Sequence, residues 1–459
     1  MEISKSKRTW IIIGAVLMTA TVQLSSAGLN NTMYAILSGM NGLQYYALLA
    51  TLSSLGMAIM CVIGGRIGDM IGRRAVILAG AVLSLASAIV MGLAQSLSVF
   101  IVARAVLSFG IGTFPGNAFV VAADVSDAKQ YPKVAALLTA TLMVATFLGS
   151  TIAGYLVDAG LIPAAIIYPG VVGLIGAVIA AAKMDKKPTT DGVRGKVDGI
   201  GMVLLAVFML SLCLSLNQGA NLGFGNPIII CGFVVAVVSL LALLKVEKKA
   251  EVPVIPLYLF KNKKYTGVII AGAFITFYEV VMASYVPVSG QALMGLSASI
   301  TGYFSLPRTI IAIALAAPAA AWVVKNQAKN SAIGLAAAGL LAAVAFLGMI
   351  FVGAGSPVAL SFILIGITGF TEALKGASFR PLVISQLEQK DFGVGVGMMT
   401  ATGTLLMTIL LSIVGPVFTA VSAQNMGSAL RFVYIVTVCC ALIAVAITVF
   451  ATKDSKSKN

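Results

Sequence analysis

Four ionisable residues, Arg104, Glu279, Glu372 and Lys375, stand inside long apolar runs of the chain. A charge placed within a membrane span costs roughly 2.5–3.5 kcal/mol to insert, so each of the four points to a function that requires it. A carboxyl group alternately wet and dry can load and release a proton, which is the chemistry of a proton-coupled carrier. Glu279 lies about fourteen residues into a run that begins near Tyr265, or roughly 21 Å at 1.5 Å per helical residue, just past the middle of a span. Phe274, Phe277, Tyr278, Tyr285 and Tyr303 are its neighbours in sequence, and such rings suit an amphipathic or cationic ligand. Glu372 and Lys375 are three residues apart and share a helix face. Either they pair, or Lys375 reaches toward the end of the span and leaves Glu372 to titrate. Arg104 has a plain structural reading as well, in which its guanidinium binds backbone carbonyls. Gln23, Asn30, Asn31 and Gln291 are neutral polar groups that either hydrogen-bond a substrate or bridge helices.

The elements that must hold these residues are written into the composition. The chain has 459 residues, 59% hydrophobic and 10% charged, whereas a soluble chain has about 25% charged residues. That excludes a soluble globular protein. There is no His, which removes the usual metal ligand and neutral-pH base. The five cysteines, Cys61, Cys213, Cys231, Cys439 and Cys440, fall in apolar segments without metal-type spacing and read as small buried hydrophobes. No metal and no cofactor are expected.

Apolar stretches long enough to cross a bilayer run over residues 10–37, 44–65, 75–95, 98–122, 132–157, 162–182 and 199–217. They continue over 226–245, 265–288, 298–324, 331–353, 357–379, 394–421 and 429–451, about fourteen in all. The net charge of +15 would suggest nucleic acid in a soluble protein, but its distribution gives it another meaning. Every basic residue except Arg104, Arg308, Lys375 and Arg431 falls in the terminal segments or in loops on one side of this topology. The opposite loops, near 38–43, 96–97, 218–225, 289–297 and 354–356, carry none. By the positive-inside rule both termini are cytoplasmic, and the N-terminal run is a span rather than a cleaved leader. The hydrophilic stretches 183–198 and 246–264 bracket one pair of spans. The layout is six spans, two extra, then six, which invites two repeated bundles rocking about a midplane site.

After the second span comes Gly65-Arg66-Ile67-Gly68-Asp69-Met70-Ile71-Gly72-Arg73-Arg74, a tight turn whose glycines allow close approach and whose arginines fix orientation. It resembles the signature Gly-x-Leu-x-Asp-x-x-Gly-Arg-Lys of the major facilitator superfamily, where this turn is a conformational latch. The segment from Asp198-Gly199-Ile200-Gly201 through Leu216-Asn217-Gln218-Gly219 to Leu259-Phe260-Lys261 is similar to the extra helix pair of the fourteen-span drug:proton antiporter branch. So is Gly302-Tyr303-Phe304-Ser305-Leu306-Pro307-Arg308 to that branch's tenth span. Other motifs depart from the pattern. Leu29-Asn30-Asn31-Thr32 puts neutral Asn30 where the branch has an acid. The fourth-span motif keeps Arg104, Gly110 and Gly112 but has Ser108 for its first Gly. Gly149-Ser150-Thr151-Ile152-Ala153-Gly154 lacks the Pro of the antiporter motif, and with it the expected kink. The second-half copy of the latch is reduced to Trp322-Val323-Val324-Lys325-Asn326.

The expectation is an all-α integral membrane protein of the major facilitator fold and not an enzyme. An N-terminal six-helix bundle covers 1–183, a linker with two extra helices 184–264, and a C-terminal six-helix bundle 265–459. The resemblance implies proton-coupled efflux of hydrophobic or cationic molecules by alternating access. Glu279, Glu372, Arg104, Asn30, Tyr278 and Tyr285 would bind proton and substrate, and Gly65, Asp69, Gly72, Arg73 and Arg74 would form the gate. The alternative, favoured by Asn30 and Ser150, is a symporter or uniporter taking up an organic anion or nutrient. Partners are a small-molecule substrate, protons and the lipid bilayer, with no nucleic acid. The protein is expected to be a monomer in a bacterial cell membrane.

Overall fold

The computed structural model describes residues 5–127, 130–184, 199–248, 255–388 and 391–452. Every regular element among them is a helix. In a bilayer no water satisfies backbone N–H and C=O groups, so chains this apolar cross as helices that bond internally. The helices are α1 (Lys5–Gly39), α2 (Tyr46–Ile71), α3 (Arg73–Gly92), α4 (Leu97–Gly112), α5 (Phe114–Asp124), α6 (Tyr131–Asp158) and α7 (Ile162–Lys183). Then come α8 (Gly199–Leu222), α9 (Pro227–Glu247), α10 (Lys263–Ser284), α11 (Val286–Val288), α12 (Ala298–Gly302) and α13 (Ser305–Lys325). The last four are α14 (Gln327–Met349), α15 (Val358–Ile384), α16 (Phe392–Ser422) and α17 (Met426–Thr452). Among the described residues 14 helical stretches are long and apolar enough to span, and the chain is a multi-pass membrane protein.

Sequence sets the ends of these helices. Ser96, Asn226, Asn262, Ser297 and Asn326 each accept a hydrogen bond from a backbone N–H of the first turn that follows, which satisfies donors the helix leaves open. Gly72 has φ of 95° between α2 and α3, a backbone position that side chains with a Cβ rarely adopt. Three expected spans are interrupted. The fourth breaks at Thr113, and Pro115 lies in the first turn of α5 that follows. In the ninth, Pro287 is followed by a π-helical turn at Ser289–Leu293, and the tenth is divided at Tyr303 and Phe304. Each interruption is the kind of local rewinding found at proline or π-bulge positions.

The described residues form two compact units, one within Met1–Ser215, Phe224–Val254 and Ser297–Tyr303, the other within Leu216–Gly223, Ile255–Leu296 and Phe304–Asn459. In the first, α1 packs on α6 and α7, α3 on α4 and α7, α2 on α4, and α12 on α6. Small residues permit this closeness: a Cβ on Gly149 would stand 2.7 Å from Leu24 Cα, and one on Gly14 would stand 2.6 Å from Gly176 O. In the second, α14 and α13 both pack on α15, α17 packs on α14 and α10, and α16 lies along α10. Outward faces are apolar. Ile228, Val234, Val237, Val238 and Leu241 of α9 are all exposed, as expected of a helix whose solvent is lipid.

Candidate functional site

The second unit gathers four intramembrane charges. Glu279 on α10 is ion-paired with Lys375 on α15. Arg308 on α13 donates from Nη2 to Glu372 Oε2 on α15 at 2.9 Å. Tyr278, beside Glu279 on α10, donates its hydroxyl to the same Glu372 oxygen at 2.6 Å. Both the Arg308 guanidinium and the Lys375 ammonium stand 5.8 Å from the centre of the Tyr278 ring, within cation–π range. The two ion pairs therefore meet at Tyr278, whose ring faces both cations and whose hydroxyl bonds Glu372, and their formal charges cancel. Such mutual pairing is how ionised groups are tolerated in an apolar medium. Neutrality has a chemical consequence: protonating either carboxylate frees a cation, while a cation that competes for either carboxylate displaces Lys375 or Arg308.

Helix geometry explains the arrangement. Glu372 and Lys375 share one face of α15, but each reaches for a different helix, Glu372 for α13 and α10, Lys375 for α10. Of the two alternatives for Glu372 and Lys375, neither describes the outcome: they do not pair with each other, and Glu372 is held by Arg308 while Lys375 is held by Glu279, because tertiary neighbours offer the opposite charges. The side chain of Glu279 is 30% exposed, against 12% for Lys375 and 18–19% for the other pair. Glu279 is thus the most open of the four charges. Tyr285 is buried further along, edge to face with Phe418 at 4.8 Å, and the described contacts do not join it to the four charges. Arg308 was missed as a site residue. The signal was its position, one of four basic residues outside the one-sided set.

In the first unit Arg104 is 1% exposed. Its Nη2 donates to Ser53 Oγ at 2.8 Å and to Asn30 Oδ1 at 3.4 Å. Asn30 and Arg104 are thus brought together, with Ser53 of α2 as a partner the sequence did not flag. The expected alternative for Arg104, bonds to backbone carbonyls, is not what these contacts are. Asn31 spans helices, donating to Ser150 O at 3.0 Å and Ala298 O at 2.8 Å. Ser150, at the place of the missing Pro, donates to Gly302 O at 3.0 Å, and a Cβ on Gly154 would lie 2.5 Å from Ala298 O. The degenerate motif therefore works as a packing surface for α12.

At the turn between α2 and α3, Arg73 pairs with Asp124 at 3.1 Å and Arg74 donates to Met184 O at 3.4 Å. Asp124 ends α5 and had not been singled out. Gly65 is partly exposed with open space where a Cβ would stand. The Asp69 side chain lies outside the described residues.

Three comparisons place the chain among known proteins. The family model for the Major Facilitator Superfamily matches residues 10–409. The chain is 27% identical over 309 residues to the multidrug transporter protein MdtP of Bacillus subtilis, covering 67% of this chain and 57% of that one. It is 24% identical over 247 residues to multidrug resistance protein 3 of the same organism, covering 54% and 48%. A uridine/deoxyuridine transporter of Lactococcus lactis is 23% identical over 251 residues, covering 53% and 52%. The chain thus spans about half the length of these curated relatives. In fold it is similar to the crystal structure of the POT family transporter PepTSo, with a TM-score of 0.71, 14% identity and coverage of 100% and 99%. A bacterial homologue of the lysosomal transporter Spinster gives a TM-score of 0.67 at 13% identity, covering 98% of each chain.

Proposed function

The chain belongs to the major facilitator superfamily, and we propose that it is a secondary active carrier coupling proton movement to export of hydrophobic or cationic small molecules. The observation that carries this reading is the neutral group of Glu279, Lys375, Glu372 and Arg308 around Tyr278. A carboxylate there holds either a proton or a cation, so protonation of Glu279 expels a cationic substrate and substrate binding expels the proton. That mutual exclusion is the minimum chemistry of antiport. Similarity to relatives described as multidrug transporters supports the substrate class.

In this reading two bundles, residues 1–183 and 265–459, exchange access to the site, and residues 184–264 hold the extra helix pair. Gly65, Asp69, Gly72, Arg73 and Arg74 form the gate at the end of the first bundle that carries the basic loops, joined by Asp124. That end faces the cytoplasm, as do both termini, and the protein works as a monomer in a bacterial cell membrane.

The test is transport in proteoliposomes under an imposed pH gradient, with tetraphenylphosphonium as the lipophilic cation. Native protein drives the cation against the direction of proton flow, and Glu279→Gln loses that drive. No gradient-dependent flux from the native protein, or full coupling in Glu279→Gln, overturns the mechanism.

A further inference from the structure

The Arg104 guanidinium, buried in the first unit, meets no carboxylate among the described residues. Arginine does not discharge by losing its proton, and an uncompensated buried charge is strongly destabilising. Its recorded partners, Asn30 Oδ1 and Ser53 Oγ, are neutral. Its Nε is buried without any acceptor. Nor do the helices that supply its partners keep an acid near it in reserve. α1 and α4 contain no Asp or Glu, and the single acid of α2, Asp69, is sixteen positions beyond Ser53, or roughly 24 Å along the helix. Asp124 of α5 is engaged by Arg73, and Asp158 of α6 accepts from Ala298 N and Ser299 N.

The surroundings of Arg104 are rich in donors. Asn30 turns its oxygen to the guanidinium, which leaves its amide N–H groups with no acceptor among the described residues. Ser53 accepts from Arg104 and donates to no described group. Asn30 is partly exposed, so the cluster is not sealed. The three residues also lie at one depth: Asn30 is nine positions before the end of α1, and Ser53 and Arg104 are each seven positions after the starts of α2 and α4.

We propose that Arg104, Asn30 and Ser53 form a binding site for one monovalent anion. The anion is either a carboxylate carried on a transported molecule or an inorganic halide held as counter-ion. Arg104 supplies the charge, and the Asn30 amide and Ser53 hydroxyl supply directed donors, as charge-assisted recognition of an anion requires. The proposal uses none of the residues of the four-charge group and stands whether or not that group moves protons.

The experiment measures thermal unfolding of the full chain, purified in detergent, during titration with sodium chloride or sodium benzoate. The reference is sodium HEPES at matched ionic strength, which holds sodium and screening constant while offering neither a halide nor a carboxylate. A ligand that binds the folded state raises the melting temperature saturably. A rise with chloride alone identifies a halide counter-ion, a rise with benzoate alone identifies a substrate carboxylate, and a rise with both supports a site open to either. Arg104→Gln loses the rise. Asn30→Asp, which keeps Arg104 and supplies a fixed carboxylate beside it, loses the rise as well while melting higher than native protein in HEPES alone. The proposal fails if neither anion exceeds the reference, or if Asn30→Asp and Arg104→Gln retain the full response.

Discussion

Glu279 and Glu372 have the same chemistry but different surroundings, and the difference sorts their roles. Glu372 Oε2 accepts from both Arg308 and Tyr278, whereas Glu279 has, among the described residues, Lys375 as its one partner and is more exposed. Glu372→Gln leaves Arg308 buried without a charge partner, which costs on the order of 3–5 kcal/mol. We therefore expect a large fall in melting temperature for Glu372→Gln and a smaller one for Glu279→Gln, read by thermal unfolding in detergent. In transport the order reverses for coupling: the double exchange Glu279→Lys with Lys375→Glu keeps the pair and restores folding, yet moves the acid from α10 to α15. Gradient-driven flux of tetraphenylphosphonium should recover in the double variant relative to either single one. Failure of the double variant to exceed the singles would show that the pair is not the coupled unit.

Among elements, α6 shows how a motif that has lost its proline keeps a purpose. Without the proline, α6 runs unbroken from Tyr131 to Asp158 and lays Gly149, Ser150 and Gly154 against α1 and α12. Asp158 receives two N–H groups at the start of α12, at 3.2 and 2.8 Å from Ala298 and Ser299, and the Tyr155 and Tyr303 hydroxyls meet at 2.7 Å. Gly149→Val drives side-chain atoms into the Leu24 backbone, and overpacking of this kind costs about 1–3 kcal/mol. Gly116→Ala has open space at its Cβ and replaces a poor helix former by the best one. The first variant should melt well below native protein and the second at or above it. Equal melting of the two would remove the packing account of α6.

Over the whole molecule, the one-sided distribution of basic residues sets orientation, and a fluorescent protein fused to the C-terminus tests it. We expect a folded, fluorescent fusion in the cytoplasm, and a cysteine placed at Ser96 to react with a membrane-impermeant maleimide from outside. Labelling of Ser96→Cys only after lysis would reverse the topology. The number of spans, the family and the apolar outer faces were legible because they depend on run length, composition and local motif, which are properties of the chain read in order. Glu279, Glu372, Arg104 and Lys375 were legible for the same reason: a charge in an apolar run is conspicuous wherever it packs. Only the tertiary structure decided the partners. It gave Lys375 to Glu279 and Arg308 to Glu372 and Tyr278, and it left Arg104 with Asn30 and Ser53. Pairing depends on which faces of which helices meet, and residues 94 positions apart, such as Tyr278 and Glu372, acquire a common environment only when α10 and α15 pack together.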